Sequence, residues 1–270
     1  MIKNLVFKGG GVLGIAYVGV IEVLEQKQIL QQIQSIAGTS AGAIIATLLS
    51  LKYNAAEVFN VLQSTDFNSF GDNSSHARVG SKYGLYKGKV FLSWIKKCIT
   101  DKGLSENATF TNFRKAGMLD LHVFAIDLTV NELKEFSATK TPHVIVAEAI
   151  RASMAIPLFF DAWKFSNSIP DNHVYIDGGT LCNFPIKTFD FNNAINTETL
   201  GLFLKNTSNT NEIDIEEIDF ENNPEEKKRV VIIDTFGFSS TNFALTDSEK
   251  GQLYHSGKTA TTNYLGKLNL

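Results

Sequence analysis

The amino-acid sequence predicts an α/β fold in which helices cover a mostly parallel sheet. Two observations lead to this prediction. An apolar strand pattern is followed by a helical pattern twice within the first part of the chain, and a glycine-rich turn joins strand to helix both times. Strands that alternate with helices pair in parallel, and functional sites in such sheets form at the carboxyl ends of the strands, where both turns lie.

The predicted elements follow from the spacing of apolar residues. Strand-like stretches occur at 2–8, 33–37, 121–128, 173–177 and 230–234. Helical spacing occurs at 13–30, 43–51, 88–100, 144–155, where Pro157 follows the end, and over roughly the last twenty residues. Two polar stretches lie between these elements. Residues 64–84 are predicted to form a mobile flap, and the acidic stretch 205–229, which ends in Lys227-Lys228-Arg229, a solvated surface excursion.

Composition narrows the class of protein. The 270 residues fit one domain over 1–270, and no apolar run is long enough to span a membrane. The first residues lack the apolar segment of a Sec signal peptide, so we expect a cytoplasmic protein or one peripheral at membranes, with signal-independent secretion left open. The net charge of −3 gives no basic surplus for nucleic acid. Cys98 and Cys182 are too few for a disulfide framework or a zinc site, and we expect buried or half-buried thiols.

The second glycine-rich turn has the pattern of a nucleophile elbow. Gly38-Thr-Ser-Ala-Gly42 lies between a predicted strand and a predicted apolar helix. In a Gly-x-Ser-x-Gly elbow, a sharp turn lifts the serine hydroxyl out of the sheet, and the flanking residues are small because backbone passes close by. This makes Ser40 the candidate nucleophile. A plain small-residue helix start is the alternative.

The first glycine-rich turn, Gly9–Gly14, also fits Gly-x-Gly-x-x-Gly, the fingerprint of dinucleotide sites. That fingerprint requires an acidic residue at the end of the second strand, and Ile36-Ala37-Gly38 has none. We therefore expect no nucleotide. Consecutive glycine amides beside a helix start instead favour an oxyanion hole at Gly9, Gly10 and Gly11, with a purely structural turn as the alternative.

A nucleophilic serine needs a base. Asp177 ends a predicted strand and precedes Gly178 and Gly179. The order Ser…Asp…His would require His255, which lies in the predicted terminal helix and reads as a surface residue. Asp177 is the better partner, although an acid before two glycines is also common in ordinary turns.

These motifs together resemble the patatin-like phospholipase family. Gly9-Gly-Gly-Val-Leu-Gly14 is similar to its oxyanion loop, the Ser40 pentapeptide to its elbow, and Asp177-Gly-Gly to its aspartate motif. The stretches Glu148–Pro157 and Gly84–Gly88 add to the resemblance, which runs from residue 5 to about 190 with a weaker echo in 241–265.

The resemblance implies a three-layer sandwich with helices on both faces of the sheet, and a Ser40–Asp177 dyad that cleaves lipid acyl esters through an acyl-enzyme. The implied site includes Gly14, Gly38, Gly42, Gly178 and Gly179 as motif glycines. No metal or cofactor is implied, and the expected partner is a lipid or membrane-surface ester, with a protein activator left open.

One residue departs from the family pattern. Leu13 stands where many members carry Lys or Arg before the last glycine of the first motif. The backbone donors survive this change, so we expect Leu13→Arg to preserve or raise activity. A water-soluble esterase or thioesterase, and a weakly active lipid-binding protein on the same fold, remain the alternative functions.

Overall fold

A seven-stranded sheet forms the centre of the structure, a computed structural model that describes residues 1–71, 84–192, 194–207 and 222–269. The strand order is β5-β4-β2-β1-β8-β9, and β7 pairs with β4 as well. Strands β9, β8, β1, β2 and β4 run parallel, whereas β5 and β7 are antiparallel to β4. The strands are β1 Asn4–Phe7, β2 Ser35–Thr39, β4 Asp120–Asp127, β5 Glu132–Ser137, β7 Tyr175–Asp177, β8 Thr199–Lys205 and β9 Val230–Asp234. A separate parallel pair consists of β3 Gly84–Tyr86 and β6 Leu158–Phe160.

Eight α-helices occur in the described ranges. They are α1 Ala16–Gln26, α2 Ala41–Ser50, α3 Ala55–Gln63, α4 Lys89–Thr100, α5 Phe110–Lys115, α6 Val146–Ser153, α7 Pro224–Lys227 and α8 Asp247–Lys267. Every residue of α2 is buried, as expected for a helix that is apolar all round. Capping boxes stabilise the starts of α3, α5 and α8. In each, the N-cap residue just before the helix and the third helical residue accept hydrogen bonds from each other's backbone amides.

Strand residues alternate between two apolar clusters. Leu5 and Phe7 of β1 face the large core with α1, α2 and α8, and Val6 faces a smaller cluster on the other side. The smaller cluster also contains Phe184 and Ile186. Ile186 begins a 3-10 helix, and Phe184 lies just before that helix. Both faces of the parallel strands are therefore buried, which accounts for their nearly continuous apolar sequence.

The predicted elements compare well with the observed ones. The strands at 2–8, 121–128, 173–177 and 230–234 and the helices at 43–51, 88–100, 144–155 and the chain end are confirmed within a few residues. The predicted helix 13–30 is shorter, because a 3-10 helix, Gly11–Ile15, precedes α1, which ends at Gln26. Cys98 is buried and Cys182 half-buried, as predicted.

The two polar stretches fall partly outside the described residues, which exclude 72–83 and 208–221. At the end of the second stretch, the prediction of a solvated surface agrees with the exposed Lys227 and Lys228 but is wrong for Glu226 and Arg229. Arg229 is buried and pairs with Asp190 at 2.5 Å and with the buried Glu226 at 2.6 Å. The run Lys227-Lys228-Arg229 gave no sign of this burial, because the two carboxylate partners of Arg229 are brought to it by the fold.

Candidate active site

The sheet register brings the two motif strands end to end. Both β2 and β7 pair with the same side of β4, but they run in opposite directions, so their carboxyl ends meet. Thr39 pairs with Phe124, and Asp177 pairs with the next residue, Ala125. Ser40, which follows Thr39, therefore lies beside Asp177, although 136 residues separate the two in the sequence (from 41 to 176).

The backbone at Ser40 has the strained geometry of an elbow. Its φ of 53° and ψ of −126° are unusual for a residue with a side chain. The flanking glycines are required by close backbone approach. A Cβ at Gly38 would lie 2.3 Å from the carbonyl oxygen of Gly42, and one at Gly42 would lie 2.3 Å from that of Phe7. The small residues in this motif therefore have a steric cause.

Ser40 and Asp177 form a short hydrogen bond in a buried position. The Ser40 Oγ donates to Asp177 Oδ2 at 2.6 Å, and the two residues are 4% and 5% exposed. The other carboxylate oxygen accepts from the Gly179 amide at 2.7 Å, which fixes the carboxylate plane. Burial raises the pKa of Asp177 to about 6, although the hydrogen bonds from Ser40 and Gly179 act in the opposite direction.

The glycine pair after Asp177 also has a steric cause. A Cβ at Gly178 would lie 2.7 Å from the carbonyl oxygen of Phe124, and one at Gly179 would lie 2.8 Å from Oδ1 of Asn183. A larger residue at Gly178 would push the Asp177 turn away from the end of β4. The carboxylate would then move relative to Ser40.

Two residues of the site were missed in the sequence analysis. The Ser153 Oγ accepts from the Ser40 amide at 2.8 Å and donates to the carbonyl oxygen of Phe124 at 2.6 Å, so it ties the elbow to β4. The Met154 sulfur lies 3.4 Å from the Ser40 Oγ. Both residues lie in the Glu148–Pro157 stretch that carries part of the family resemblance, which was the available signal.

The first glycine turn lies directly against the elbow. A Cβ at Gly9 would approach the Cβ of Ser40 to 3.1 Å, and one at Gly14 would lie 3.4 Å from that of Ala41. Gly11 has a φ of +53°, a conformation that favours glycine. The turn thus runs past Ser40 at backbone contact distance.

The amides of this turn differ in what they bind. The Gly9 amide donates to the carbonyl oxygen of Asn183 at 2.9 Å, which removes Gly9 from the predicted set of oxyanion donors. The Val12 amide donates to Ser240. In the part of the chain that the structure describes, the amides of Gly10 and Gly11 have no hydrogen-bond acceptor. These two are available to bind an anion.

The surroundings of Leu13 argue against the expected effect of Leu13→Arg. Its side chain is 7% exposed and belongs to the large apolar core. Arginine at this position would place a guanidinium in that core, and burying a charge is costly unless it is paired. The expectation that Leu13→Arg preserves activity is therefore not supported.

An apolar pocket adjoins Ser40. Gly11 of the first turn, Ala41 after the elbow and Met154 form its near side. Aliphatic and aromatic side chains from α2, α3 and the segments beyond form the rest: Ile44, Ile45, Leu62, Phe67, Phe70 and Phe243. A pocket with this lining fits a hydrocarbon chain better than a polar group.

The histidines that the structure describes form no hydrogen bond with Ser40 or Asp177. His255 is exposed on α8, as predicted, and His76 lies outside the described residues. Burial lowers the pKa of His122, but hydrogen bonds to Asp120 and Glu135 outweigh burial and raise it to about 9. His173 lies 2.6 Å from Asp127 in a cluster with Asp171 whose ligand-type atoms are within 4.8 Å of one another.

Comparisons with known proteins give the same family as the motifs. The model of the patatin-like phospholipase family matches residues 5–190. The chain is 33% identical over 201 residues to YqhO of Bacillus subtilis, covering 68% of this chain and 65% of that protein. It is 30% identical over 188 residues to the probable lipid hydrolase 463L of invertebrate iridescent virus 6, covering 68% of this chain and 62% of that protein. The matches thus span less than two thirds of these relatives.

Solved structures share the fold. VipD from Legionella pneumophila matches 98% of this chain and 67% of its own, with a TM-score of 0.72 at 16% identity. ExoU from Pseudomonas aeruginosa, solved in complex with SpcU, matches 98% of this chain and 52% of its own, with a TM-score of 0.61 at 17% identity. The predicted fold class is confirmed. Within the described ranges, no helix has the length and apolar character to cross a membrane.

Proposed function

The chain belongs to the patatin-like phospholipase family, and we propose that it hydrolyses acyl esters of lipids with Ser40 as nucleophile and Asp177 as base. One observation carries this proposal: the 2.6 Å hydrogen bond from the Ser40 Oγ to the buried Asp177 carboxylate. A base within hydrogen-bond reach of the proton it removes is the first requirement of general-base catalysis.

In the first step, Asp177 Oδ2 takes the hydroxyl proton of Ser40 while the Oγ attacks the ester carbonyl carbon. The carbonyl π electrons move to oxygen, and the Gly10 and Gly11 amides donate hydrogen bonds to this oxyanion. When the tetrahedral species collapses, the bond to the alkoxy oxygen breaks. The leaving alcohol then receives the proton from Asp177, and the acyl group stays on Ser40.

In the second step, water replaces the alcohol. Asp177 takes a proton from the water, the resulting hydroxide attacks the acyl carbon, and the Ser40 Oγ leaves and recovers the proton. The products are a carboxylic acid and the free enzyme. The same carboxylate acts as base in both steps, so the proposal needs no histidine.

The pKa of Asp177 supports its role. A carboxylate with an ordinary pKa near 4 is a weak base for an alcohol. Burial raises this pKa to about 6, which makes the carboxylate more basic and still leaves it ionised at neutral pH.

The apolar pocket supports a lipid substrate over a small polar ester. Its lining includes Gly11, Ala41 and Met154 near Ser40, and the apolar side chains of Leu62 and Phe70. The first carbons of the acyl chain are expected in this pocket, with the head group towards solvent. A protein activator and peripheral membrane association stay predictions. ExoU, solved with SpcU, is a precedent for a protein partner in a protein of similar fold.

The test combines covalent labelling with kinetics. An alkyl fluorophosphonate is expected to modify wild-type protein at Ser40 and to leave Ser40→Ala unmodified. Ester hydrolysis should fall by on the order of 10⁴-fold or more in Ser40→Ala, in Asp177→Asn and in the double variant, since residues that act as a unit are not additive. His255→Ala should stay within a few-fold of wild type.

The pH profile gives a second readout. Because the base must be ionised, kcat/KM should rise about tenfold per pH unit below about 6 and level off above it. Folded protein that neither labels nor hydrolyses esters but binds lipid vesicles would favour the lipid-binding alternative. Turnover of short-chain esters and thioesters without turnover of lipids would favour the soluble esterase.

A further inference from the structure

We propose, on the basis of the function above, that a long acyl chain bound at Ser40 extends between Ile15 and Leu62 into a second cavity, which sets the preference for chain length. This second cavity, the distal groove, lies between α1, α3 and α8. The residues that line it and carry the argument are Ile15, Val18, Ala55, Phe59, Leu62 and Gly251.

The pocket beside Ser40 is too small for a long chain. Its volume is about 40 Å³, room for only a few waters, since a cavity of roughly 10–15 Å³ holds one. A long acyl chain attached to the Ser40 Oγ must therefore continue elsewhere. Side chains that line both this pocket and a neighbouring cavity show where the acyl chain can continue.

Ile15 and Leu62 line both spaces. The distal groove has a volume of about 730 Å³, within the range of about 300–1,000 Å³ that is usual for ligand sites. Ile15 is half-buried and Leu62 is buried, and both are aliphatic side chains at the boundary between the two spaces. Rotamer changes in these two side chains would join the pocket to the groove.

The chemistry of the groove favours an uncharged occupant. Its floor is apolar, with Val18, Ala55 and Leu62 all buried. The charged residues that line it are three acids and one base, Glu22, Glu25, Asp247 and Lys250. Lys250 lies 3.5 Å from Asp247 and Lys258 lies 2.8 Å from Glu22, so both lysines beside these acids already have a carboxylate partner. The hydrocarbon end of the acyl chain fits this surface, and an anionic head group does not.

Gly251 offers a direct test of the groove. It lies in α8, lines the groove, and has no atom within 4 Å of a Cβ built on it. A side chain added here fills the groove without a backbone clash. Gly266 is a matched control, because it lies in the same helix, has equally open space around its Cβ, and is not among the residues that line the groove.

The experiment compares Gly251→Trp with Gly266→Trp on p-nitrophenyl butyrate and p-nitrophenyl palmitate. For Gly251→Trp, kcat/KM on the palmitate ester should fall on the order of tenfold or more, while the butyrate ester changes less than about twofold. Gly266→Trp should leave both values unchanged. Labelling rates with a butyl and a hexadecyl fluorophosphonate should show the same split.

The outcomes separate this inference from the proposed function. If folded Gly251→Trp keeps the wild-type ratio of palmitate to butyrate turnover, and Ser40 still labels, the groove does not hold the chain and the inference is wrong while the hydrolase stands. If wild-type protein neither labels at Ser40 nor cleaves either ester, the proposed function fails and the inference fails with it. Equal losses on both esters in Gly251→Trp would also contradict chain-length control.

Discussion

At the scale of single residues, the proposed chemistry and the stability of the fold make opposite demands on Asp177. The carboxyl is 5% exposed, and burial raises its pKa from an ordinary value near 4 to about 6. The folded state therefore binds the proton more tightly than the unfolded chain does. The base needs the carboxylate, whereas the fold favours the neutral acid.

This conflict predicts a pH-dependent stability difference between wild type and Asp177→Asn. Since the folded pKa lies above the unfolded value, the contribution of Asp177 to stability is fully present below the unfolded pKa and is lost as pH rises through about 6. Between pH 5 and pH 8, wild type should lose about 1 kcal/mol of unfolding free energy relative to Asp177→Asn. Urea denaturation at several pH values measures the difference.

Asp234 provides the control for this measurement. Burial acts to raise the pKa of Asp234, but hydrogen bonds, led by those from Thr207, together outweigh burial and lower this pKa. Asp234 is therefore ionised in both states throughout this pH range, and the difference between Asp234→Asn and wild type should not change with pH. A flat difference for Asp177→Asn as well would contradict the raised pKa.

At the scale of elements, the turn from β1 to the helical segment is held by the backbone of a second turn. The Val12 amide donates to the Ser240 carbonyl oxygen at 3.0 Å, and a Cβ at Gly11 would lie 2.0 Å from that oxygen. Gly11 also has a φ of +53°, so a side chain there would both strain the backbone and crowd the Ser240 oxygen. The position of its free amide depends on the absence of a side chain.

Gly11→Ala is therefore expected to move the amide that the proposal assigns to the oxyanion. Loss of one oxyanion donor lowers kcat on the order of 10²-fold or more, and KM should change less. Gly117→Ala is the matched control, because Gly117 has a φ of +69° but nothing within 4 Å of its Cβ. Circular dichroism must show that both variants fold. A folded Gly11→Ala with undiminished kcat would mean that the oxyanion is bound elsewhere.

Most elements with a strong apolar pattern could be predicted from the sequence, but β8, Thr199–Lys205, was missed although six of its seven residues are buried. The short or polar elements β3, β5, β6, α3, α5 and α7 were missed as well. The strand β5, Glu132–Ser137, lies at the edge of the sheet and reads as polar because its first residues are exposed. Helix α3, Ala55–Gln63, has few buried residues, although its Asn54–Glu57 capping box was a usable signal. The Ser40 elbow and the Asp177 turn were predictable because both need small residues at fixed spacing. The hydrogen bond from the Gly9 amide to the Asn183 carbonyl oxygen was not predictable, because Asn183 is distant in sequence.

At the scale of the whole molecule, the order of the strands could not be read from the sequence. β1 lies between β2 and β8, and β8 begins at Thr199, beyond the family match at 5–190. Local spacing predicts that a strand forms, but its neighbours are chosen by packing over the whole chain. The interpretation of 1–270 as one domain therefore depends on what the last eighty residues contribute to the core (from 191 to 270).

Their contribution is backbone contact as well as apolar burial. A Cβ at Gly257 of α8 would lie 2.0 Å from the carbonyl oxygen of Ala16 in α1, so the two helices pack backbone against backbone. Leu253 and Leu265 of α8 are fully buried. The carbonyl oxygen of Leu202 in β8 accepts from the Lys8 amide, directly before the glycine turn. Removal of these elements would expose one edge of β1 and a face of α1.

A chain that ends after residue 190 is therefore expected not to fold cooperatively, even though it retains the whole family match and both Ser40 and Asp177. It would leave β1 as an unpaired edge, and such edges promote aggregation. Trp94 and Trp163 are both retained, so the same fluorescence signal reports on the short and the full chain. In urea, the full chain should show one transition, coincident by fluorescence and circular dichroism, and the short chain a broad change or none. A chain that ends after Lys267, the last residue of α8, is the control and should unfold like the full chain. A cooperative transition in the 190-residue chain would mean instead that β8, β9 and α8 form a separate unit added to a self-sufficient core.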